Sequence, residues 1–147
     1  MARIKIDLPP KFCFSTNIPI RITDINFGGH VGNETILSIV HEARAKFFQH
    51  LGYDELNFWG VGTIMSDVAI EYKDQIYYGD VVLASVAIGE ITKVAFDLFY
   101  KLEKRSADGK LSTVALAKTW MVCYDYDLKK VAAIPEKAID KKYYFKI

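Results

Sequence analysis

The sequence predicts an α+β fold in which a curled antiparallel sheet of about five strands wraps one long central helix. The helix is predicted because residues 34–51 place apolar side chains three and four positions apart, along one helical face. The sheet is predicted because four later runs are rich in β-branched and aromatic residues and are separated by short turns. A single helix against such a sheet is buried if the sheet curls round it.

The chain begins with an extended segment. Pro9 and Pro10 close a lead-in for which an extended path is favoured over a helix. Residues 12–23 then carry aromatic and β-branched side chains in rough alternation, which is typical of a strand. Because Pro19 lacks the N–H that a central strand needs, this strand is expected at a sheet edge or a bulge.

The central helix follows a glycine turn. Gly28 and Gly29 allow the backbone to bend and to approach a ligand closely. Asn33 is expected to be the N-cap, and Gly52 to lie just past the last helical residue. The start of a helix presents unpaired N–H groups and the positive dipole end, which suits a developing oxyanion. The apolar face is predicted to comprise Ile36, Leu37, Val40, Ala43, Phe47 and Leu51.

Four strands are predicted after the helix, at Thr63–Tyr72, Asp80–Ile91, Val94–Arg105 and Leu111–Tyr126. Residues 106–110 contain an Asp-Gly pair, which is a strong hairpin signal between the last two strands. Alternation in the third strand predicts one face made of Phe96, Leu98, Tyr100 and Leu102.

Composition favours one compact domain over residues 1–147, since 51% of the residues are hydrophobic. The net charge of +1 lacks the basic field of a nucleic-acid binder. Neither a signal peptide nor a run of about 18 apolar residues is visible, so a soluble cytoplasmic protein with no membrane segment is expected. Cys13 and Cys123 lack metal-ligand spacing, as do the three histidines, and no metal is expected.

One helix and five strands leave a sheet face or a sheet edge poorly covered in a monomer. A homodimer is therefore the physical expectation.

The most specific pattern in the chain is Arg21-x-x-Asp24-x-Asn26-x-Gly28-Gly29-His30-Val31-x-Asn33, followed by Glu42-Ala43-Arg44. Further support comes from Tyr72, Tyr78-Gly79-Asp80, Asp125 and Ile134-Pro135-Glu136. With these residues, nearly the whole chain resembles the 4-hydroxybenzoyl-CoA thioesterase branch of the hotdog-fold acyl-CoA thioesterases. The resemblance implies a homodimer, often paired into a homotetramer, that hydrolyses an acyl-CoA threaded between subunits beside the helix start. Coenzyme A is then part of the substrate, and no other cofactor is implied.

The chain departs from this family at one position. The second carboxylate of the family's Asp-x-Asp pair acts as nucleophile or general base, and Asn26 stands there in this sequence. An amide is neither a base nor a useful nucleophile at neutral pH. Asn26 could still hydrogen-bond a water or the acyl carbonyl, so it is predicted to position groups rather than to transfer protons.

The remaining catalytic candidates have different roles. The backbone N–H of Asn33 matches the family's oxyanion donor, although its side chain is also typical of an ordinary cap. His30 could act as a base or a donor, or could bond the local backbone. Asp24 and Glu42 are the candidate carboxylates, with Asp24 typical of a structural acid and Glu42 typical of a charge pair.

Substrate-binding candidates are apolar residues, the two glycines and one lysine. A lone lysine beside a turn could meet coenzyme A phosphates, and the apolar residues are also typical of plain core. They are Phe27, Gly28, Gly29, Phe58, Trp59, Met65 and Lys93.

The leading hypothesis is hydrolysis of a small or medium acyl or aryl thioester, most simply an acyl-CoA. The alternative is a hotdog protein that binds such a thioester or a related ligand without turnover, because Asn26 replaces the usual aspartate. A dehydratase of the same fold ranks last, since the expected His and acid spacing is missing.

Overall fold

A computed structural model describes residues 3–106 and 108–145, and these form one long helix against an antiparallel sheet. The predicted α+β, hotdog-like class is therefore confirmed, whereas the curl of the sheet stays a prediction. The helices and strands, in chain order, are β1 (Phe14–Pro19), α1 (Asn33–His50), β2 (Gly62–Tyr72), β3 (Val81–Ile91), β4 (Ala95–Arg105), β5 (Leu111–Asp125), β6 (Lys130–Val131) and α2 (Glu136–Ile139), with 3-10 turns at Ile22–Asp24 and Lys141–Tyr143.

The five long strands lie in the order β1-β3-β4-β5-β2, and β6 pairs with the end of β5. All the strand pairings are antiparallel. The predicted face of β4 is confirmed, because Phe96, Leu98, Tyr100 and Leu102 are all fully buried. The next strand begins at Leu111, as predicted, and Ala107 of the predicted hairpin lies outside the described residues.

The first strand is shorter than predicted. It ends at Pro19, and residues 22–24 form a 3-10 turn instead. The turn forms because the Asp24 carboxylate accepts the backbone N–H of Arg21, which bends the chain out of the sheet. The edge position inferred from Pro19 is confirmed, since among the described strands β1 pairs with β3 alone.

The central helix begins one residue earlier than expected. Its N-cap is Gly32, so the prediction that Asn33 caps the helix is wrong. The carbonyl of Gly32 already accepts from the N–H of Thr35 and of Ile36, which makes Asn33 the first helical residue. Gly32 forms no side-chain cap, and its missing Cβ leaves room for the carboxylate of Glu34.

The other end of the helix matches the prediction. Gly52 adopts φ +89° and donates to the carbonyl of Gln49, while Tyr53 donates to the carbonyl of Phe48. This pair of hydrogen bonds is the Schellman motif, for which a glycine is preferred because φ is positive.

The buried face of the helix differs slightly from the predicted one. Leu37 is 37% exposed, whereas Ile39 and Phe48 are buried. The difference arises because the core reaches α1 from both β1 and the loop after the helix, so the buried stripe is wider than one row of side chains.

Candidate active site

The glycine turn, residues 26–30, is a short hairpin that delivers the chain to the helix start. The backbone N–H of Asn26 donates to the carbonyl of His30 over 3.0 Å, and the N–H of Gly29 donates back to the carbonyl of Asn26 over 3.1 Å. Gly29 has φ +85°, a backbone conformation that residues other than glycine rarely adopt. The turn is therefore fixed by its backbone, and its side chains are held at defined places.

Asn26 and His30 converge above Gly28. The side-chain Oδ1 of Asn26 accepts the backbone N–H of Gly28 over 2.9 Å. A Cβ placed on Gly28 would lie 3.2 Å from that Oδ1 and 3.5 Å from Nε2 of His30. A glycine at this position therefore keeps open the space between the amide and the imidazole.

The tautomer of His30 follows from its backbone contact. Its Nδ1 lies 3.0 Å from the carbonyl oxygen of Val31. Because a carbonyl oxygen only accepts, Nδ1 carries the hydrogen in this contact. In the neutral ring, Nε2 then has a free lone pair and can accept a proton.

A cleft of about 260 Å³, the helix-start cleft, opens beside His30. The hydroxyl of Tyr72 donates to the carbonyl of Asn33 over 3.1 Å, which ties the helix start to the end of β2. The first backbone N–H groups of the helix also lie here. They have no acceptor within the helix, because no helical turn precedes them. The cleft is lined by His30, Val31, Asn33, Ile36, Tyr72, Lys73, Asp74, Gln75 and Ile76.

The acid in this cleft is Asp74, which sequence reasoning missed. Its Oδ1 accepts the N–H of Gln75 over 2.8 Å, and its Oδ2 lies 3.4 Å from Nζ of Lys104. The bond from Gln75, followed by Lys104, lowers the pKa of Asp74. A carboxylate held in its charged form is a weak base, so Asp74 is better suited to fixing the rim than to activating water.

Asp24 and Glu42 lie elsewhere, in a cleft of about 310 Å³ between β1 and the side of the helix. Asp24 is 8% exposed, and its two oxygens are bonded to the backbone N–H and the guanidinium of Arg21. Both oxygens thus serve the local turn. This helix-side cleft is lined by Ile18, Pro19, Arg21, Asp24, Ser38, Ile39, Glu42 and Lys46.

Three of the seven predicted substrate-binding residues lie away from the helix start. Phe58 is fully buried and packs 5.2 Å from Phe48, in the last turn of α1 and about 20 Å along the helix axis from its beginning. Trp59, with φ 51°, packs edge-to-face against Phe58, with ring centroids 4.8 Å apart. Lys93 is exposed in the turn between β3 and β4, at that same end of the sheet.

Two further candidates occupy other surroundings. Phe27 is completely exposed at the tip of the glycine turn. Met65 is half-buried on β2, just before a bulge in the pairing with β5. Within a single chain, then, the structure brings together Asn26, Gly28, Gly29, His30 and Asn33, and the binding roles of the other residues stay predictions.

A buried polar chain was not foreseen either. Arg44 of the Glu-Ala-Arg motif is 5% exposed, and it donates to Glu55 and, over 3.4 Å, to the hydroxyl of Tyr100. That hydroxyl lies 2.8 Å from Oγ1 of Thr119. Burial lowers the pKa of Arg44, but Tyr100 and Glu55 outweigh it and keep the arginine charged. Alternation could not reveal this contact, because it depends on which loop returns to the helix.

Across residues 3–106 and 108–145, no three His, Cys, Asp or Glu side chains are grouped as a metal site would require. Within the same ranges, none of the helices has the length and apolar character needed to cross a membrane.

The chain belongs to the thioesterase-like superfamily, whose family model matches residues 20–141. This range contains the glycine turn, the central helix and four of the five long strands, β2 to β5. Among curated proteins, none matches the chain in sequence.

Several solved structures with the same fold are named as thioesterases of aromatic acyl-CoA compounds. A mutant 4-hydroxybenzoyl CoA thioesterase complexed with 4-hydroxybenzoyl CoA superposes with a TM-score of 0.76 at 20% identity, covering 86% of this chain and 95% of that one. A 1,4-dihydroxy-2-naphthoyl-CoA thioesterase from Synechocystis gives 0.74 at 19% identity, covering 90% and 94%. A gentisyl-coenzyme A thioesterase gives 0.73 at 19% identity, covering 86% and 100%.

Proposed function

We propose that the protein hydrolyses a small or medium acyl or aryl thioester of coenzyme A, with the thioester carbonyl at the start of α1. The observation that carries the proposal is the convergence of Asn26 and His30 over Gly28, beside the first N–H groups of the helix. Membership of the thioesterase-like superfamily supports the reaction class. The names of the structural neighbours support an acyl or aryl group on coenzyme A.

In the proposed reaction, Nε2 of His30 takes a proton from water as the water oxygen attacks the thioester carbon. Positioned general bases of this kind contribute about 100- to 10,000-fold in rate. The Asn26 amide orients the water and does not exchange protons. The hydrogen bond that Nδ1 of His30 donates to the carbonyl of Val31 keeps the imidazole in the tautomer with a free Nε2 lone pair.

The carbonyl oxygen becomes negative as the water adds, and the backbone N–H of Asn33 stabilises it. A donor of this kind is typically worth about 100- to 1000-fold in rate. The tetrahedral intermediate then collapses, the carbon–sulfur bond breaks, and His30 returns its proton to the leaving thiolate. Coenzyme A enters as part of the substrate, so the proposal requires no further cofactor.

Binding without turnover is the second candidate, and a specific observation favours it. The Oδ1 of Asn26 is already committed to the N–H of Gly28, as a purely structural turn residue would be. The neighbour complexed with 4-hydroxybenzoyl CoA is itself a mutant in which an aspartate is replaced by asparagine. A thioester can therefore be held by a relative that carries such an exchange.

The proposed assembly is a homodimer, with a homotetramer as its extension. The strand β2 lies at an edge of the sheet over its 11 residues. Ile64, Val68 and Tyr72 on this strand are 36–49% exposed. Pairing two such edges would cover apolar surface and satisfy backbone groups. Sedimentation of the purified protein tests this assembly, and a monomer at micromolar concentration would contradict it.

The test of function is release of free thiol from a panel of acyl-CoA and aryl-CoA thioesters between pH 5 and pH 9. Turnover of at least one thioester is expected, and silence across the panel would overturn the hydrolase assignment. The variant Asn26→Asp separates the two candidates, since a carboxylate oxygen can accept the same Gly28 N–H. A large gain of hydrolysis would indicate binding as the native role, whereas a loss of existing activity would show that the amide has its own function.

A further inference from the structure

Residues 3–12, here called the N-terminal strap, cross the sheet face opposite α1. The backbone N–H of Ile6 donates to Oε1 of Glu71 on β2 over 2.8 Å, and the side chain of Ile6 is buried, at 7% exposure. The ring of Phe12 lies 5.0 Å from Nζ of Lys101 on β4. Glu71 precedes Tyr72, whose side chain reaches the helix, so alternation places Glu71 on the opposite face.

The strap is not part of the matched family region, which begins at residue 20. Ile6 is the one buried residue of the strap, and the others are exposed or intermediate. Ile4 is 61% exposed, whereas Ile6, two residues later, is 7% exposed. Ile6 is therefore the residue that anchors the strap near β2.

Glu71 links the strap to the helix-start cleft. Its Oε1 accepts from Ile6, while its Oε2 lies 2.6 Å from Nζ of Lys73. The bond from Lys73, followed by the backbone bond from Ile6, lowers the pKa of Glu71. Lys73 follows the end of β2 and is one of the residues that line the helix-start cleft, so the Glu71 carboxylate joins the strap to a cationic residue of that cleft.

We propose that Glu71 is a positioning residue: held by the strap, it fixes the ammonium of Lys73 at the rim of the helix-start cleft, where it meets the anionic part of a coenzyme A thioester. This inference rests on the proposed function of that cleft. A flexible lysine loses rotamer freedom when it binds an anion. A lysine that is already fixed loses less, so the strap strengthens binding without touching the ligand.

The link itself is tested in the ligand-free, full-length protein. Ile6→Asp places a charge at a buried position and should release the strap, while Ile4→Asp adds the same charge to the same segment at an exposed position. Amide exchange of residues 4–11 should rise at least tenfold in Ile6→Asp alone. NMR relaxation of the Lys73 side chain should show increased mobility in Ile6→Asp and in Glu71→Gln, but not in Ile4→Asp. Unchanged Lys73 mobility after strap release would overturn the link.

The consequence is tested by the affinity for a non-hydrolysable thioether analogue of benzoyl-CoA. Ile6→Asp should weaken binding about threefold, the effect expected of one half-exposed ionic contact. Ile4→Asp should bind like the native protein. In a Lys73→Met background, Ile6→Asp should cause no further loss, because the effect passes through Lys73.

The two ways to fail are distinct. If the native protein binds no analogue, the proposed function fails, and this role of Lys73 fails with it. If the native protein binds the analogue, two results would overturn the strap's role. One is an unchanged affinity in Ile6→Asp, and the other is a loss of affinity caused by Ile6→Asp in the Lys73→Met background as well. If the strap only stabilises the fold, Ile6→Asp would lower the melting temperature in both the native and the Lys73→Met background. Its effect on affinity would then not depend on Lys73.

Discussion

The helix-start cleft and the helix-side cleft lie on two sides of the same segment, residues 21–33, but their polar groups are used differently. In the helix-side cleft, both oxygens of Asp24 are bonded to Arg21. In the helix-start cleft, Nδ1 of His30 is bonded while Nε2, among the described contacts, makes no hydrogen bond. The helix-side cleft thus contains the predicted acids Asp24 and Glu42, whereas the helix-start cleft contains an imidazole nitrogen without a partner among the described residues and an acid, Asp74, that is bonded to Gln75.

This contrast teaches that a carboxylate's presence near a motif says little about its availability. Asp24 is two residues from Asn26 in sequence, yet the 3-10 turn at Ile22–Asp24 directs it to another side of the segment. A reactive group must be within hydrogen-bond reach of the substrate and must keep a lone pair for it. Nε2 of His30 meets the second condition without a competing bond in the described part of the chain, whereas both oxygens of Asp24 already accept hydrogen bonds from Arg21.

The largest expected effect is from removing the base. His30→Asn keeps a side-chain donor for the Val31 carbonyl but removes Nε2, so kcat should fall about 100-fold or more. Glu42→Gln, in the other cleft, is the matched variant and should change kcat less than about threefold. Both are measured by thiol release with the best thioester of the panel. A larger loss for Glu42→Gln would move the reaction to the helix-side cleft.

A smaller effect is expected from closing the space above Gly28. Gly28→Ala introduces a methyl group 3.2 Å from Oδ1 of Asn26 and 3.5 Å from Nε2 of His30. Activity should fall about tenfold, as for a small misplacement of reacting groups, while the melting temperature changes little. Thiol release and thermal unfolding are measured together.

The neighbouring glycine provides the control. A Cβ on Gly29 would meet no atom within 4 Å, but its φ of +85° makes an alanine strained. Gly29→Ala should therefore lower stability by about 1 kcal/mol and lower activity less than Gly28→Ala. The reverse order would mean that backbone strain, and not the open space, controls the site.

Asp24→Asn tests the structural role of the helix-side acid. The loss of charge weakens the bonds to Arg21, and the free energy of unfolding should drop by about 1–2 kcal/mol. Since His30 keeps its contacts, kcat at a temperature well below unfolding should change less than threefold. Urea denaturation and thiol release give the two quantities. A loss of kcat without a loss of stability would restore a catalytic role for Asp24.

The smallest expected effect concerns a carboxylate that belongs to neither cleft. Asp97 on β4 is 5% exposed, and its Oδ1 has no hydrogen-bond partner among the described residues. Burial raises the pKa of Asp97, although Lys118, 3.8 Å away, opposes the shift. A raised folded-state pKa means that the ionised form destabilises the fold above that pKa, so stability is gained as the pH falls through it.

Asp97→Asn should therefore raise the free energy of unfolding at pH 8 by about 1 kcal/mol, and the gain should shrink towards pH 4. Urea denaturation at the two pH values measures it. Activity should not change, because Asp97 lies on the sheet face opposite the helix. An equal gain at both pH values would show that burial of the charge is not the cause.

Local sequence patterns were sufficient for most of the fold. Alternation in β4 gave its buried face, Pro19 gave an edge strand, and Gly52 gave the helix end, because each depends on neighbouring residues alone. The N-cap was missed by one residue. Asparagine is a common cap, but here the backbone of Val31 is still bonded to Ile76, in the segment that follows β2, which fixes where the helix can begin.

The candidate site was predictable in part. The glycine turn and the helix start are contiguous in sequence, so Asn26, His30 and Asn33 could be named together. Asp74, Lys73 and Glu71 could not, since they reach the site through strand β2, which is distant in the chain. Phe58 and Trp59 were assigned to a pocket from their apolar character, which cannot tell one end of a helix from the other.

By itself, the sequence determined the α+β class, the helix and its strands, and the position of Asn26 where the resembled family has an acid. These follow from periodicity, turn chemistry and residue identity, all of which are local. Only the tertiary structure decided that Asp24 and Glu42 lie in a different cleft from the imidazole of His30, which lone pair of His30 is available, and how the N-terminal strap meets Glu71. These depend on which distant segments pack together, and a linear pattern does not contain that information.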